Sequence, residues 1–331
     1  MPEVSMIMPL FNKARYLADA LESIIAQTFT DFELIIIDDG STDRSLTVAK
    51  EYAEKDKRFR VYSIKNQGVS HARNMGMACA EGKYIIFMDA DDTVHPSFID
   101  HMYTCLLKNQ ADIVISGILK HRDGVVRGEM AYSRTGLLSM DEIMTDFASE
   151  QKRCGIFGSC VAKMFPKELA EGVRFDEKLN LAEDFDFYLR LYAKAQRVYC
   201  DDQLYYYYLQ DTENSSVQVA DEQIDYMGQL RISLRYRDFL NEKKAYWGAN
   251  EEIVNEQITN YLFLSLFYCP QEHFDARFKD LRTLCDAQKL ELFPRGVRQS
   301  VVLTLFGWNM CTMLRCLLTG YKKIQRWIRR A

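Results

Sequence analysis

Apolar runs alternate with amphipathic stretches through the first third of the chain. Val4–Pro9 (VSMIMP) is apolar and ends at a proline, and Ala14–Gln27 then carries Leu17, Leu21, Ile24 and Ile25 at helical spacing. The unit recurs. Phe32–Asp38 (FELIIID) reads as a fully buried strand closed by Gly40, with Ser41 or Asp43 placed to cap a helix to about Glu54. Arg60–Ile64 predicts a third strand, Val69–Ala80 a helix, and Tyr84–Met88 (YIIFM) another buried strand. A helix over Pro96–Asn109 and a strand over Asp112–Ser116 extend the series. Strands alternating with helices imply a mostly parallel sheet covered on both faces.

Past Gly117 the pattern blurs into an irregular connection to about Gly158, with one helix near Met140–Ala148. Glu183–Ala195 (EDFDFYLRLYAKA) is again strongly amphipathic, Tyr205–Tyr208 reads as an edge strand, and Asp211–Ser216 as a polar loop. From about Ala220 nearly everything is helix-like. The expected division is therefore an α/β domain over 1–218 and a helical domain over 219–331, ending in a basic amphipathic tail from about 299.

In such sheets ligands bind outside the carboxyl ends of the strands. The polar clusters fall there: Pro9–Asn12, Asp38–Asp43, Asn66–Asn74 and Asp89–Asp92 each follow a predicted strand. In Phe87-Met88-Asp89-Ala90-Asp91-Asp92, aspartates two positions apart serve one ligand only if the chain turns there. Asp91 could then reach a divalent cation, Mg²⁺ or Mn²⁺, with Asp89 on the same ion or on a ribose; an acidic turn capping the next helix is the plainer alternative. In Asp38-Asp39-Gly40-Ser41-Thr42-Asp43 a carboxylate could accept the N3–H of a uracil ring, and the same residues suit a plain turn. Asn66–Gly76 (NQGVSHARNMG) offers amide, hydroxyl and guanidinium donors, with His71 read as structural.

Taken together, PLFN at 9–12, QTFTDFELIIIDDGSTD at 27–43, NQGVSHARNMGM at 66–77 and FMDADD at 87–92 resemble the family 2 glycosyltransferases, inverting enzymes of the GT-A fold. The resemblance spans roughly residues 1–216. It implies a Rossmann-like, mostly parallel sheet and a UDP-sugar donor with Mn²⁺ or Mg²⁺. Pro9 and Phe11 would frame the nucleobase, Asp39 would bind the uracil edge, and Asn66 and Arg73 would lie along ribose and diphosphate. Asp89-Ala90-Asp91 would be the DxD motif, with Asp91 as metal ligand. Ala182-Glu183-Asp184-Phe185 resembles the ED motif, whose aspartate, Asp184, would be the general base; Asp186 is the alternative. Inverting transfer needs one such carboxylate, since no covalent intermediate forms. One departure stands out: Leu209–Ser216 (LQDTENSS) lacks the basic residue that many members carry after the tyrosines.

Composition adds exclusions. The nine cysteines are scattered without a CxxC pair, which argues against a disulfide framework and a zinc site. No GxGxxG follows a strand, as a dinucleotide-dependent dehydrogenase would require, and PLFNKARY lacks the glycine-rich phosphate loop of a sugar-nucleotide pyrophosphorylase. The start has no basic stretch followed by an apolar one, so a cytoplasmic location is expected. Against a net charge of −5, Leu292–Ala331 carries eight basic residues and no acidic one. With the apolar stretch Val301–Leu318 and with Trp308 and Trp327, that tail predicts an interfacial helix on an anionic membrane at the inner face of the cell membrane. A helix packed on the protein is the alternative. A glycan or lipid-linked glycan acceptor would suit membrane contact, no nucleic-acid partner is expected, and the pattern is compatible with a homo-oligomer.

Overall fold

The computed structural model describes residues 1–122, 124–210, 224–290, 292, 296–307, 309–315 and 317–318. The chain forms two compact units, Met1–Gln218 with Glu242–Ala245, and Val219–Asn241 with Tyr246–Ala331.

The first unit opens with β1 (Val4–Leu10), α1 (Leu17–Ile25), β2 (Phe32–Asp38), α2 (Ser45–Lys55), β3 (Phe59–Ser63), α3 (Val69–Cys79) and β4 (Tyr84–Phe87). It continues through β5 (Thr93–Val94), α4 (Phe98–Asn109), β6 (Ile113–Ile115), β7 (Ile118–Arg122), β8 (Val125–Met130) and β9 (Gly136–Ser139). Then follow α5 (Met140–Met144), α6 (Phe147–Cys154), β10 (Lys163–Pro166), α7 (Glu183–Lys194), β11 (Arg197–Cys200) and β12 (Tyr206–Leu209).

The main sheet has eight strands in the order β3-β2-β1-β4-β10-β6-β11-β9. β3, β2, β1 and β4 run parallel, with Ile7 opposite Ile35 and Phe87. β1 and β2 are buried at every position, because helices cover both faces, which is what a continuous apolar strand requires. β10 inserts antiparallel between β4 and β6, and β9 closes the far edge antiparallel to β11.

Three features depart from the pattern-based reading. The region read as an irregular connection contains β7, β8 and β9, and its single expected helix is two, α5 and α6; α5 opens on a capping box in which Ser139 Oγ accepts from Glu142 N at 3.2 Å. Lys163–Pro166 is a strand of the main sheet. The strand expected over Tyr205–Tyr208 at an edge is β12, one residue further on, and it lies inside a second sheet of order β5-β12-β7-β8. The polar loop expected at Asp211–Ser216 lies outside the described residues.

The second unit carries α8 (Tyr226–Glu242), α9 (Gly248–Phe267), α10 (Phe274–Gln288) and α11 (Gly296–Gly307). Val302, Leu303, Leu305 and Phe306 of α11 are buried, with the Phe306 ring 5.1 Å from Phe278 of α10, so much of this stretch's apolar side is spent on helix packing. Met310, Met313 and Leu317 remain exposed. Among the described residues no helix is long and apolar enough to cross a membrane. Trp308, Trp327 and the basic residues from Lys322 onward lie outside the described residues.

α3 owes its seat on the sheet to Gly76, where an added Cβ would come within 2.3 Å of Ile7 Cγ2 on β1. Gly76→Ala is expected to cost about 1–3 kcal/mol of stability, measured by chemical denaturation. Adding Ile7→Ala removes the obstructing methyl, so the pair should cost clearly less than the sum of the two single changes; strictly additive costs would rule the contact out as the cause.

Candidate functional site

The loops after the first three strands are laced to one another. Asn12, at φ 51°, turns its Oδ1 to the backbone N–H of Thr42 at 2.8 Å and of Asp43 at 3.3 Å. In return Asp43 Oδ2 accepts from Ala14 N at 3.1 Å, and Ser45 Oγ accepts from Lys13 N at 2.8 Å. Asp39 ties in the third loop: its Oδ1 accepts from Gln67 N and its Oδ2 from Gly68 N, both at 2.8 Å, while Asn66 Nδ2 donates to the Asp39 carbonyl at 2.9 Å. Only glycine fits at position 40, where φ is 72° and a Cβ would lie 2.9 Å from Asn66 N. Beside this lacework Phe11 is exposed, whereas Pro9 lies buried within β1. Of the two residues expected to frame a base, Phe11 alone offers an open face.

After β4 the chain does turn, as two cooperating aspartates require: Asp92 N donates to Asp89 O at 3.2 Å. The three carboxylates part company there. Asp91 Oδ2 meets Lys13 Nζ at 2.5 Å, and burial, then the charge of Asp89, push its carboxyl up despite that ammonium. Asp92 is fully buried and accepts from Tyr206 Oη at 2.6 Å and from Leu209 N at 2.8 Å. The same tyrosine oxygen takes Asp89 N at 3.2 Å. Asp92 is thus a clamp between the acidic turn and β12.

Asp89 faces inward to Arg73. This arginine of α3 is 4% exposed, which a lone helical arginine rarely is. Its Nη1 donates to Asp184 Oδ1 at 2.5 Å and Glu183 Oε1 at 3.0 Å, and its Nη2 to Asp89 Oδ1 at 3.3 Å. Glu183 and Asp184 stand at the first turn of α7, just after Ala182 in the left-handed region at φ 61°. Burial works against the guanidinium, but Asp184 and the other carboxylates hold its pKa well above the usual value. One cation facing three anions leaves the cluster short of positive charge. Burial, opposed by Arg73 and reinforced by Glu183 and Asp89, pushes Asp184 from 3.8 up to about 8.

The sequence-derived candidates therefore separate into groups. Arg73, Asp89, Glu183 and Asp184 come together; Asp39 and Asn66 are joined through loop hydrogen bonds; Asp91 is paired with Lys13. Arg73, expected along ribose and diphosphate, gives its terminal nitrogens to carboxylates in the ligand-free protein, because those are the charges within reach of a buried guanidinium, while its Nε has no partner among the described residues. Asp186, the alternative base, is buried and bonded to Arg190 Nη2 at 2.5 Å. His71 sits at the rim, 3.2 Å from Glu177 Oε2.

Two residues escaped the sequence reading. Lys13 follows PLFN directly and is the partner of the expected metal ligand. Lys163, fully buried in β10, points its ammonium at Ser159 O and over the Tyr188 ring at 4.5 Å, and burial lowers its pKa to about 7. Buried polar atoms without a partner among the described residues include Arg73 Nε and Ser70 Oγ, both of α3.

Residues 5–167 match the family model described as Glycosyl transferase family 2. The chain is 32% identical over 242 residues to the uncharacterized glycosyltransferase EpsJ of Bacillus subtilis, covering 70% of this chain and 69% of that protein. It is 33% identical over 227 residues to the minor teichoic acid biosynthesis protein GgaB of the same organism, covering 66% of this chain and 24% of that longer one. Among solved structures, S. aureus TarS 1–349 in complex with UDP-GlcNAc superposes with a TM-score of 0.63 at 20% identity, covering 98% of this chain and 92% of that one. That likeness establishes the shared GT-A architecture.

The crowding at Arg73 has a measurable cost. With Asp184 raised to about 8 in the folded protein, the native state keeps a proton that the unfolded chain has already released, so stability falls as pH rises from about 4 to about 8. Asp184→Asn removes that liability. Its melting temperature in ligand-free protein should exceed wild type at pH 8 and converge on it near pH 5; a variant less stable than wild type at pH 8 would contradict this electrostatic account.

Proposed function

The chain belongs to glycosyl transferase family 2, and from that premise we propose that it moves a sugar from a UDP-sugar to an acceptor hydroxyl with inversion at the anomeric carbon, in assembly of a cell-surface polysaccharide. The observation that carries the mechanism is the Arg73 cluster, which draws Asp89 of the acidic turn and Glu183–Asp184 of α7 to one guanidinium. Donor identity is supported by the UDP-GlcNAc held by TarS, and the pathway by the teichoic acid role in GgaB's name.

In this reading Phe11 lies against the base, and Asp39 reaches the uracil edge with the lone pairs its loop hydrogen bonds leave over. Asn66 and Arg73 lie along ribose and diphosphate, where a bound donor would satisfy Arg73 Nε, an orphan worth about 1–3 kcal/mol. Arg73's larger part is positioning, since it fixes the carboxylates that do the chemistry. The residues fit a hard divalent cation: Asp91 and Asp89 supply oxygen donors, their mutual repulsion calls for positive charge, and Lys13 supplies it in this state. Mn²⁺ or Mg²⁺ held by Asp91, with Asp89 beside it, would neutralise the departing diphosphate.

Asp184 acts as general base, with 27% of its side chain open to the site. It takes the acceptor hydroxyl's proton as that oxygen bonds to the anomeric carbon, and the bond from that carbon to the diphosphate breaks, UDP leaving with the electron pair. Glu183 shares Arg73 with it and sustains its basicity. A lipid-linked acceptor would bring the basic tail to an anionic membrane surface, where Met310, Met313 and Leu317 of that tail are exposed apolar residues.

Release of UDP from a panel of UDP-sugars, with Mn²⁺ present and with metal chelated, tests the assignment. Asp91→Ala is expected to abolish metal-dependent turnover. Asp184→Asn should lower kcat by about 10²–10⁴-fold while calorimetric UDP binding persists. Absence of metal-dependent UDP binding by the wild type would overturn the reading. Because the base must be ionised and its pKa is raised, kcat/KM should climb with pH towards about 8, and Asp184→Asn should flatten that limb.

A further inference from the structure

α4 presents His101 and Cys105 one turn apart, on the same helix face, towards Asp201 just beyond β11. One donor atom from each residue lies within 4.8 Å of the other two. His101 Nε2 is the hub: it contacts Asp201 Oδ2 and stands 3.6 Å from Cys105 Sγ. We propose that His101, Cys105 and Asp201 form a zinc-binding site, separate from the acidic turn, that fastens α4 to the segment running from β11 into β12.

The donor set decides the ion. Thiolate and imidazole favour Zn²⁺ over Mg²⁺, Ca²⁺ or Mn²⁺, which prefer all-oxygen sites. In a tetrahedral zinc site, Zn–N near 2.05 Å and Zn–S near 2.3 Å put those two donors about 3.5 Å apart, which is the separation that His101 and Cys105 already have. The carboxylate has only to draw back from Nε2 for the ion to enter, and its other oxygen is steadied by Gln203 N at 3.0 Å. Cys105 and Asp201 are buried and His101 keeps 26% of its side chain exposed, so an ion reaches the site from the histidine side. Thiolate and carboxylate together balance the charge of Zn²⁺, and water completes the fourth position.

On binding, the Cys105 S–H bond breaks and the sulfur–zinc bond forms, the proton passing to solvent. Any proton on His101 Nε2 leaves the same way. The scattering of the cysteines without a CxxC pair argued against a zinc site; the donors proposed here come instead from one helical turn and one strand end. The site also has a purpose in the fold. Asp201 lies five residues before Tyr206, the residue that clamps Asp92.

The test uses the full chain, stripped of metal by chelation and titrated with Co²⁺ as a spectroscopic stand-in. One equivalent should bind with a thiolate-to-cobalt charge-transfer absorption, be displaced by Zn²⁺, and release roughly one to two protons per ion. The absorption should vanish in Cys105→Ser and in His101→Gln and persist in Asp91→Ala, which separates this site from the proposed catalytic one. Zn²⁺ should also raise the melting temperature of wild type and leave that of Cys105→Ser unchanged. A wild type without the charge-transfer absorption, or an absorption that survives Cys105→Ser, would overturn the proposal and leave a plain histidine–aspartate hydrogen bond between α4 and β11.

Discussion

A single buried guanidinium gathers the carboxylates of the candidate site. Arg73 and Asp184 are 111 positions apart in sequence, and Asp89 enters from a third element, yet all end on the same few nitrogens. At 4 Å a pair of unit charges near a protein surface interacts by about 4 kcal/mol, whereas an uncompensated buried charge costs several. The cluster therefore assembles as a whole or not at all. With three carboxylates to one cation, it is also left short of positive charge. The same shortage that raises Asp184 makes the neighbourhood receptive to a cation and suits one of its carboxylates to accept a proton. Stability and chemistry pull in opposite directions at these residues.

One strained backbone position adjoins the same cluster. Ala182 adopts positive φ, at 61°, and immediately precedes Glu183, which accepts from Arg73. Such a conformation costs an alanine roughly 1–2 kcal/mol and persists only where surrounding contacts fix it. Here the two residues that follow, Glu183 and Asp184, are ion-paired with Arg73, so the strained backbone and the charge cluster hold each other in place.

The parts of this architecture legible in the sequence are those governed by local periodicity. The β1–β4 strands and the helices between them follow from continuous apolar runs and helical spacing, and the polar clusters at their carboxyl ends contain Asp39, Asn66, Arg73, Asp89 and Asp91. The second sheet escaped because β7 and β8 are half-exposed and mix apolar with charged residues, so neither period dominates. The Asp123-Gly124 pair between them and the S-x-x-E of Ser139–Glu142 were the usable signals. β10 hid for another reason, since a four-residue strand containing a buried lysine and a proline resembles a loop. Asp89, Asp91 and Asp184 were readable as residue types in place. What no local pattern carries is which carboxylate meets which cation, and so Arg73's partners, the pairing of Lys13 with Asp91, and the diversion of Asp92 to Tyr206 emerge only in three dimensions.

That diversion ties motions together. Asp92 is covalently part of the acidic turn, but its two oxygens belong to β12, one through the Tyr206 hydroxyl and one through the Leu209 amide. Peeling β12 from its neighbours leaves a buried carboxylate without donors, and unseating the turn strips β12 of its anchor. The two segments share one opening free energy, so their amides should exchange hydrogen as one cooperative unit. A substrate that steadies either segment slows the breathing of both.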